Sequence, residues 1–171
     1  VLSAARRQGL PLSHALDMGL TAGFFGLAIG RVGCLLVGDD FGSIVPERFR
    51  GLPFPVTLRV PEVLPAHSLF GDENAGQVLW ATQPWMAINA VLLGCLGLWL
   101  LKRRRYPGQV SLVLLLLYAV TRSAIEAFRG DELRGLWFGG ALSTSQLIGA
   151  VAGVVVLVLL VRNPGRPATL P

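Results

Sequence analysis

Four polar residues recur at helical spacing inside an otherwise apolar stretch of the chain. Tyr118, Arg122, Glu126 and Arg129 are separated by four, four and three positions, so a helix places them on one face. Arg122 and Glu126 can pair directly across one helical turn. Such a stripe cannot face lipid, so it must line a protein interior or a wet cavity. A structural salt bridge between helices is the alternative interpretation.

A further arginine, Arg31, lies near the end of another long apolar segment. It belongs to the run 30–42, which contains four glycines and in which Asp39 and Asp40 follow closely. An ionisable residue in a spanning segment is expensive and usually serves function. The alternative is a snorkelling arginine at a helix end, with glycines that only pack.

Arg31 and Arg122 are both expected toward the outer end of their segments, which indicates an anionic ligand. Guanidinium groups match phosphate or carboxylate in bidentate fashion. At that depth the expected phosphate is a phospholipid headgroup. Thr82, Gln83 and Gln146 begin their helices at the same level and can donate further hydrogen bonds, although Gln146 can equally be a simple helix-end residue.

The composition indicates an integral membrane protein. Of 171 residues, 53% are hydrophobic and only 15% are charged, and the mean hydropathy is +0.60, whereas a soluble domain carries about 25% charged residues. The net charge is +5, but the densest basic cluster, 102–105, directly follows an apolar segment. That is where lipid headgroups favour positive charge, so we expect no nucleic-acid partner.

The hydropathy pattern predicts an all-α, polytopic membrane helix bundle with four transmembrane helices in a single membrane domain over 1–171. The predicted spans have lengths that fit the ~30 Å hydrocarbon core and cover about 12–37, 85–101, 110–128 and 142–161. The positive-inside rule places 102–109 and the C-terminus in the cytoplasm, and the loops 38–82 and 129–142 in the periplasm.

Several local features carry expectations of their own. Ser13 is predicted as a helix N-cap, and Asp17 as a cap or headgroup contact. The many small residues of the first span favour close helix–helix contact. Alternation within 54–60 allows a short strand or hairpin. Cys34 and Cys95 have no metal-ligand or disulfide spacing and are interpreted as buried small hydrophobic residues.

The motifs resemble those of the prolipoprotein diacylglyceryl transferase family, in the family's order and over nearly the whole chain. Gly-Arg-Val-Gly-Cys-Leu-Leu-Val-Gly-Asp at 30–39 resembles its signature, and the stripe 118–129 resembles its Arg…Glu-Phe-Phe-Arg helix. Thr82-Gln83 is similar to part of its His-Pro-Thr-Gln-Leu-Tyr-Glu motif, and Leu142-Ser143 with Gln146 to its Gly-Gln-Ile-Leu-Ser element. The chain departs from these patterns at Cys34 (Asn in many members), Asp39 (Glu), Trp80 (His), Ala81 (Pro), Trp85 (Tyr) and Met86 (Glu).

The resemblance implies a divergent C-terminal portion of a longer, seven-helix enzyme of the bacterial inner membrane. The implied reaction moves the diacylglyceryl group of phosphatidylglycerol onto the lipobox cysteine of preprolipoproteins. The implied partners are phosphatidylglycerol, preprolipoprotein signal peptides and membrane lipids, with no metal or organic cofactor.

Roles for individual residues follow from this resemblance. The catalytic candidates are Arg31 and Arg122, which would stabilise charge on the leaving phosphate, and Glu126, which would hold Arg122. Arg129 would guide the headgroup or pair with Asp131. The substrate-binding candidates are Arg31, Asp39 (which could instead hold Arg31), Gln83, Tyr118, Arg129 and Gln146. A non-catalytic phospholipid- or peptide-binding membrane subunit and half of an anion transporter remain as alternatives.

Overall fold

The computed structural model describes residues 11–129, 136–137 and 142–162, with side chains described for 11–129, 147–159 and 161–162. Most of this part of the chain is helical. The helices are α1 (Leu12–Val37), α2 (Thr82–Leu101), α3 (Gln109–Glu126) and α4 (Thr144–Arg162).

Three of these helices, α1, α2 and α3, are long and apolar enough to cross a membrane. In α4 the described apolar stretch, Leu147–Leu159, is shorter than that length. Large apolar side chains such as Ile29, Leu92 and Val120 are exposed on the outer faces of the first three helices. In water such surfaces would be costly, and in a bilayer they face lipid. The expectation of a mainly helical, integral membrane protein is therefore confirmed. Cys95 of α2 is exposed as well, and Cys34 of α1 is only partly buried, so the prediction that both cysteines are buried is wrong.

Helix α1 covers the predicted range 12–37, and the boundaries of the other three helices differ from the predicted ones by a few residues. Helix α2 begins at Thr82, three residues before the predicted start, because Pro84 lies in the first turn, where its missing N–H is not needed. Helix α1 begins at Leu12 after Pro11, with no side-chain cap, so the prediction of Ser13 as the N-cap is wrong.

Helices α1 and α2 cross closely at two glycines of α2. A Cβ at Gly97 would lie 2.7 Å from Thr21 Oγ1, and one at Gly94 would lie 2.8 Å from the Phe25 ring. Glycine at these two positions lets α1 and α2 approach closely. Within the described part of the chain, four glycines of α1 do not make the close helix–helix contacts that we expected. No described atom of another element lies within 4 Å of a Cβ built at Gly23, Gly26, Gly30 or Gly33.

The 38–81 segment between α1 and α2 is folded rather than a plain loop. Its strands β1 (Thr57–Arg59) and β2 (Val78–Trp80) pair antiparallel, with Thr57 opposite Trp80. The strand predicted within 54–60 is thus confirmed. Two 3₁₀ turns, Glu47–Phe49 and Asp72–Asn74, flank the strands. The segment has its own small core, made by Val60, Phe70 and Leu79.

Two short strands precede α4. Strand β3 (Leu136–Trp137) pairs antiparallel with β4 (Leu142–Ser143), and Leu142 lies opposite Trp137. The helix therefore begins two residues after the predicted start of the fourth span.

Asp17 of α1 is fully buried at the end of the bundle where α3 begins. Its carboxylate accepts hydrogen bonds from the Gly108 N–H and from the N–H and hydroxyl of Ser111, each at 2.8 Å, and pairs with Arg104 at 2.9 Å. A side chain of α1 thus caps the N-terminus of α3. Asp17 was predicted as a cap or a headgroup contact, and it is a cap, although of α3 and not of its own helix.

Candidate functional site

In the described part of the chain, five charged side chains form one continuous chain of ion pairs, which we call the ionic network. Arg31 and Arg129 each pair with one carboxylate oxygen of Asp40. The Glu126 carboxylate pairs with Arg122 and lies 3.9 Å from Arg129 Nη1. The network therefore joins the end of α1, the turn that follows it and the end of α3. It brings Arg31, Arg122 and Glu126, the three residues predicted from the sequence to be catalytic, into one connected site.

The network is largely withdrawn from solvent and carries excess positive charge. The Glu126 side chain is 2% exposed and the Arg129 side chain 9% exposed. Among the described residues, the network's three arginines and two carboxylates leave one net positive charge. Partial burial weakens the screening that makes surface ion pairs ineffective. A monoanion such as a phosphodiester would complement this charge.

Helix α3 presents its polar stripe much as the spacing predicts. Arg122 and Glu126 pair at i,i+4, and Arg129 follows just beyond the end of the helix. Tyr118 lies on the same stripe, but its ring packs edge-on against Phe24 with 5.5 Å between centroids, beside the main hydrophobic core. Asp131, the predicted partner of Arg129, lies outside the described residues.

The carboxylate that pairs with Arg31 is that of Asp40 and not that of Asp39, for which this pairing was one of two predicted roles. Gly38 (φ 79°) and Asp40 (φ 54°) both adopt the left-handed conformation, which reverses the chain sharply after α1. Asp39 is exposed, and its carboxylate accepts the Asp40 N–H at 2.8 Å. The reversal therefore directs the second carboxylate, and not the first, toward Arg31.

The start of α2 fixes the same turn through two buried side chains. Thr82 Oγ1 donates to the Asp40 carbonyl and Gln83 Nε2 donates to the Asp39 carbonyl, both at 2.9 Å. Gln83 is fully buried, and its Oε1 has no hydrogen-bond donor among the described residues. An unsatisfied buried acceptor costs about 1–3 kcal/mol. A ligand hydroxyl or a water molecule is the kind of donor that removes this cost.

Three aromatic rings form a cluster at the end of α3, and two of them, Trp80 and Trp85, stand where the resembled motif has polar residues. Trp80, Trp85 and Phe128 contact one another, with centroids 5.4–5.8 Å apart. Phe128 lies between Glu126 and Arg129 in sequence, so the cluster packs against the end of α3. Met86 is buried. Sequence reasoning did not predict this cluster, because Phe128 lies far from Trp80 and Trp85 in the chain.

A possible metal-ligand set lies beside the network. One donor atom from each of Cys34, Asp39 and Asp40 lies within 4.8 Å of the others. Asp40 already pairs with two guanidinium groups, and Cys34 Sγ lies 4.0 Å from Arg31 Nη1. These positive charges oppose a metal cation, so the donor set does not fit one well.

Gln146, the remaining sequence-predicted site residue, lies in the first turn of α4. Its side chain is outside the described part of the structure, so its place in the site stays a prediction.

The fold and the network define an integral membrane protein with an arginine-rich ionic site at the ends of two apolar helices. A family profile described as prolipoprotein diacylglyceryl transferase matches residues 1–162. The chain belongs to this family.

Curated relatives agree with this assignment. The phosphatidylglycerol–prolipoprotein diacylglyceryl transferase of Wolbachia pipientis is 29% identical over 154 residues, covering 86% of this chain and 51% of that protein. The enzyme of the same name from Dehalococcoides mccartyi (strain CBDB1) is 30% identical, over 88% of this chain and 51% of that protein. The one from Thermus thermophilus is 28% identical, over 94% and 62%. The chain therefore spans about half the length of the curated relatives it matches.

Proposed function

We propose that this chain carries the phosphate-binding part of the site where the diacylglyceryl group of phosphatidylglycerol is transferred to the lipobox cysteine of a preprolipoprotein. In this reaction the cysteine sulfur attacks the glyceryl carbon that bears the phosphate. A C–S bond forms, the C–O bond breaks, and its electron pair leaves with the phosphate oxygen. The thiol proton ends on the departing glycerol phosphate, so atoms and charge balance.

The ionic network is the observation that carries the proposal. The net charge of +1 on its described residues matches the single negative charge of the phosphodiester, and the network lies at the ends of apolar helices, where a lipid headgroup is found. As the C–O bond breaks, negative charge grows on the phosphate. Arginine donors fixed beforehand stabilise that growing charge more than the ground state, which lowers the barrier.

Within the network the residues take different roles. Arg31 and Arg122 contact the phosphate and are the catalytic residues. Glu126 holds Arg122, and Asp40 holds Arg31 and Arg129 at a fixed separation. A guanidinium that is already held in place loses little freedom when it binds a ligand. Arg129 contributes positive charge from the side of α3 and guides the headgroup.

Further contacts to the substrate come from the surrounding polar groups. Gln83 Oε1, which lacks a donor among the described residues, accepts a headgroup hydroxyl. Asp39 is exposed next to the network and binds the headgroup from the aqueous side. Tyr118 and Gln146 are assigned to the glyceryl and phosphate oxygens on the strength of the sequence motifs.

The membrane arrangement is part of the proposal. All four helices cross the bacterial inner membrane as the last four spans of a seven-helix protein, and α4 is the fourth of them. Basic residues at 102–105 and 162–166 favour the cytoplasm. The 38–81 segment and the ionic network then lie on the periplasmic side, where preprolipoprotein signal peptides present their cysteine.

A reconstituted transfer assay tests the proposal. The full-length protein is incubated with phosphatidylglycerol and a lipobox peptide, and the peptide is analysed by mass spectrometry. A peptide in which the cysteine is replaced by serine is the matched control. We expect a diacylglyceryl thioether on the cysteine peptide only. An unmodified cysteine peptide, with the lipid still bound to the protein, contradicts the proposal.

The aromatic cluster favours a second candidate function, a phospholipid-binding membrane subunit without catalysis. Trp80, Trp85 and Met86 stand where the resembled motif has His, Tyr and Glu, and Trp80 and Trp85 pack against Phe128. Such a site keeps its phosphate-binding arginines but loses polar groups beside them. The same assay separates the two functions, because the subunit binds phosphatidylglycerol and leaves the peptide unchanged.

A further inference from the structure

A second concentration of positive charge lies in the 38–81 segment, apart from the ionic network. Arg50 and Arg59 line one pocket of about 500 Å³, which is built mainly from β1, β2 and the turn before them. The 38–81 segment contains six acidic residues and only three arginines, yet no acidic residue is among those that line this pocket. No described carboxylate forms an ion pair with either guanidinium.

An apolar pocket of about 410 Å³ adjoins the first. The two pockets share Phe54, Leu58 and Arg59 as lining residues. The apolar pocket is otherwise lined mainly by residues within 61–70 and extends to 35–37, the last turn of α1. We refer to the two pockets together as the amphipathic groove. Two arginines, Arg50 and Arg59, line one end of the groove, and apolar side chains line the other end.

The position of the groove relative to the membrane follows from α1. This apolar helix ends at Val37, so the apolar end of the groove opens where a spanning helix leaves the hydrocarbon. Large apolar side chains stand exposed around it, with Leu36 80%, Phe54 59% and Val63 85% exposed. Exposed apolar surface of this kind marks a site that contacts lipid or another apolar partner.

We propose that the amphipathic groove binds one phospholipid with an anionic headgroup. Its phosphate lies between Arg50 and Arg59, and one acyl chain follows Phe54 and Leu58 toward Val37. Arginine pairs bind phosphate strongly and with defined geometry. A free phosphate or an acidic peptide would satisfy the charges but leave the apolar walls exposed to water. A lipid satisfies both ends, so it is the occupant that fits the whole groove.

Photocrosslinking to the full-length protein in nanodiscs tests this site. The probe is phosphatidylglycerol with a photoactivatable group on one acyl chain, in a background of phosphatidylcholine, and chymotryptic peptides are mapped by mass spectrometry. We expect labelling within 52–70. The Arg50→Gln/Arg59→Gln variant should lower this labelling by about tenfold, because two charge-assisted contacts are lost. Labelling of the membrane helices is the internal reference and should stay unchanged.

Arg48→Gln provides the matched control. Arg48 is close in sequence and equal in charge, but it packs over the Phe49 ring and does not line the groove. Lipid labelling within 52–70 in the Arg48→Gln variant should equal that of the protein without substitutions. A photoactivatable phosphatidylcholine should label this region weakly, and excess glycerol phosphate should not compete. Three results would each overturn the assignment. They are equal labelling by the two lipids, a loss of labelling within 52–70 in Arg48→Gln, and competition by glycerol phosphate at the concentration of the lipid.

Discussion

Arg129 and Asp40 form an ion pair although 89 residues separate them in the chain. The pair joins the end of α3 to the turn after α1. Backbone contacts reinforce it, because the Ser43 N–H donates to the Phe128 carbonyl at 2.8 Å and Gly42 forms a β-bridge with Arg129. The geometry of the ionic network therefore depends on how the 38–81 segment packs against the helices.

Asp40→Asn should lower kcat for transfer by about tenfold or more, because Arg31 and Arg129 lose the charge that holds them in place. KM for phosphatidylglycerol should not rise, since the site gains net positive charge. Asparagine tolerates the left-handed backbone at this position, so folding should persist. Asp39→Asn is the matched control and should change kcat less. A rise in KM with unchanged kcat in Asp40→Asn would contradict the positioning role.

Arg31→Lys should reduce transfer by at least about a hundredfold, because a point charge cannot replace a guanidinium that pairs with Asp40 and, under the proposed function, also contacts the phosphate. Transfer to a lipobox peptide, measured at saturating phosphatidylglycerol, checks this. Arg48→Lys, in the same protein but outside the network, should leave the rate unchanged. Full activity in Arg31→Lys would show that only charge is needed there.

Gly97→Ala should destabilise the chain by about 1–3 kcal/mol through overpacking. The new methyl group would lie 2.7 Å from Thr21 Oγ1, which cannot move away easily because it donates to the Asp17 carbonyl. Gly23→Ala is the control, with nothing described within 4 Å of its Cβ. Unfolding in mixed detergent micelles measures the difference. Equal stability of the two variants would contradict the close crossing of α1 and α2.

Asp17→Asn should cost about 3–5 kcal/mol of stability, because it leaves the Arg104 guanidinium buried without its carboxylate. Asp17→Asn/Arg104→Gln should recover part of this loss, since it removes both charges. The same unfolding measurement on Asp17→Asn, on Arg104→Gln and on the double variant gives the coupling energy between Asp17 and Arg104. Additive losses would mean that the ion pair does not stabilise this end of the bundle.

The parts of the site that sequence could predict are those set by local periodicity. Arg122, Glu126 and Arg129 share a helix face, and their spacing alone indicates this. Arg31 stood out because an arginine near the end of an apolar segment is costly. The first inference uses only the period of a helix, and the second uses only the free-energy cost of placing a charge in lipid. Neither inference depends on knowing the fold.

The parts that sequence could not predict depend on tertiary geometry. Two left-handed residues decide that Asp40, and not Asp39, faces Arg31, and no spacing rule distinguishes neighbouring carboxylates at a turn. Asp17 caps α3 across 91 residues of chain, from its carboxylate to the Gly108 N–H. The glycines that allow close packing lie on α2, because the number of small residues does not show which face meets a partner.

The most direct test of the central claim is Arg122→Ala in the full-length protein, expressed in a strain depleted of its own prolipoprotein diacylglyceryl transferase. Lipoprotein modification is measured by the mobility shift of a tagged lipoprotein, and membrane insertion of the variant by fractionation. Lys102→Ala, also at a helix end but outside the ionic network, is the control. The account predicts that Arg122→Ala inserts normally and leaves lipoproteins unmodified. Normal modification by Arg122→Ala would contradict it.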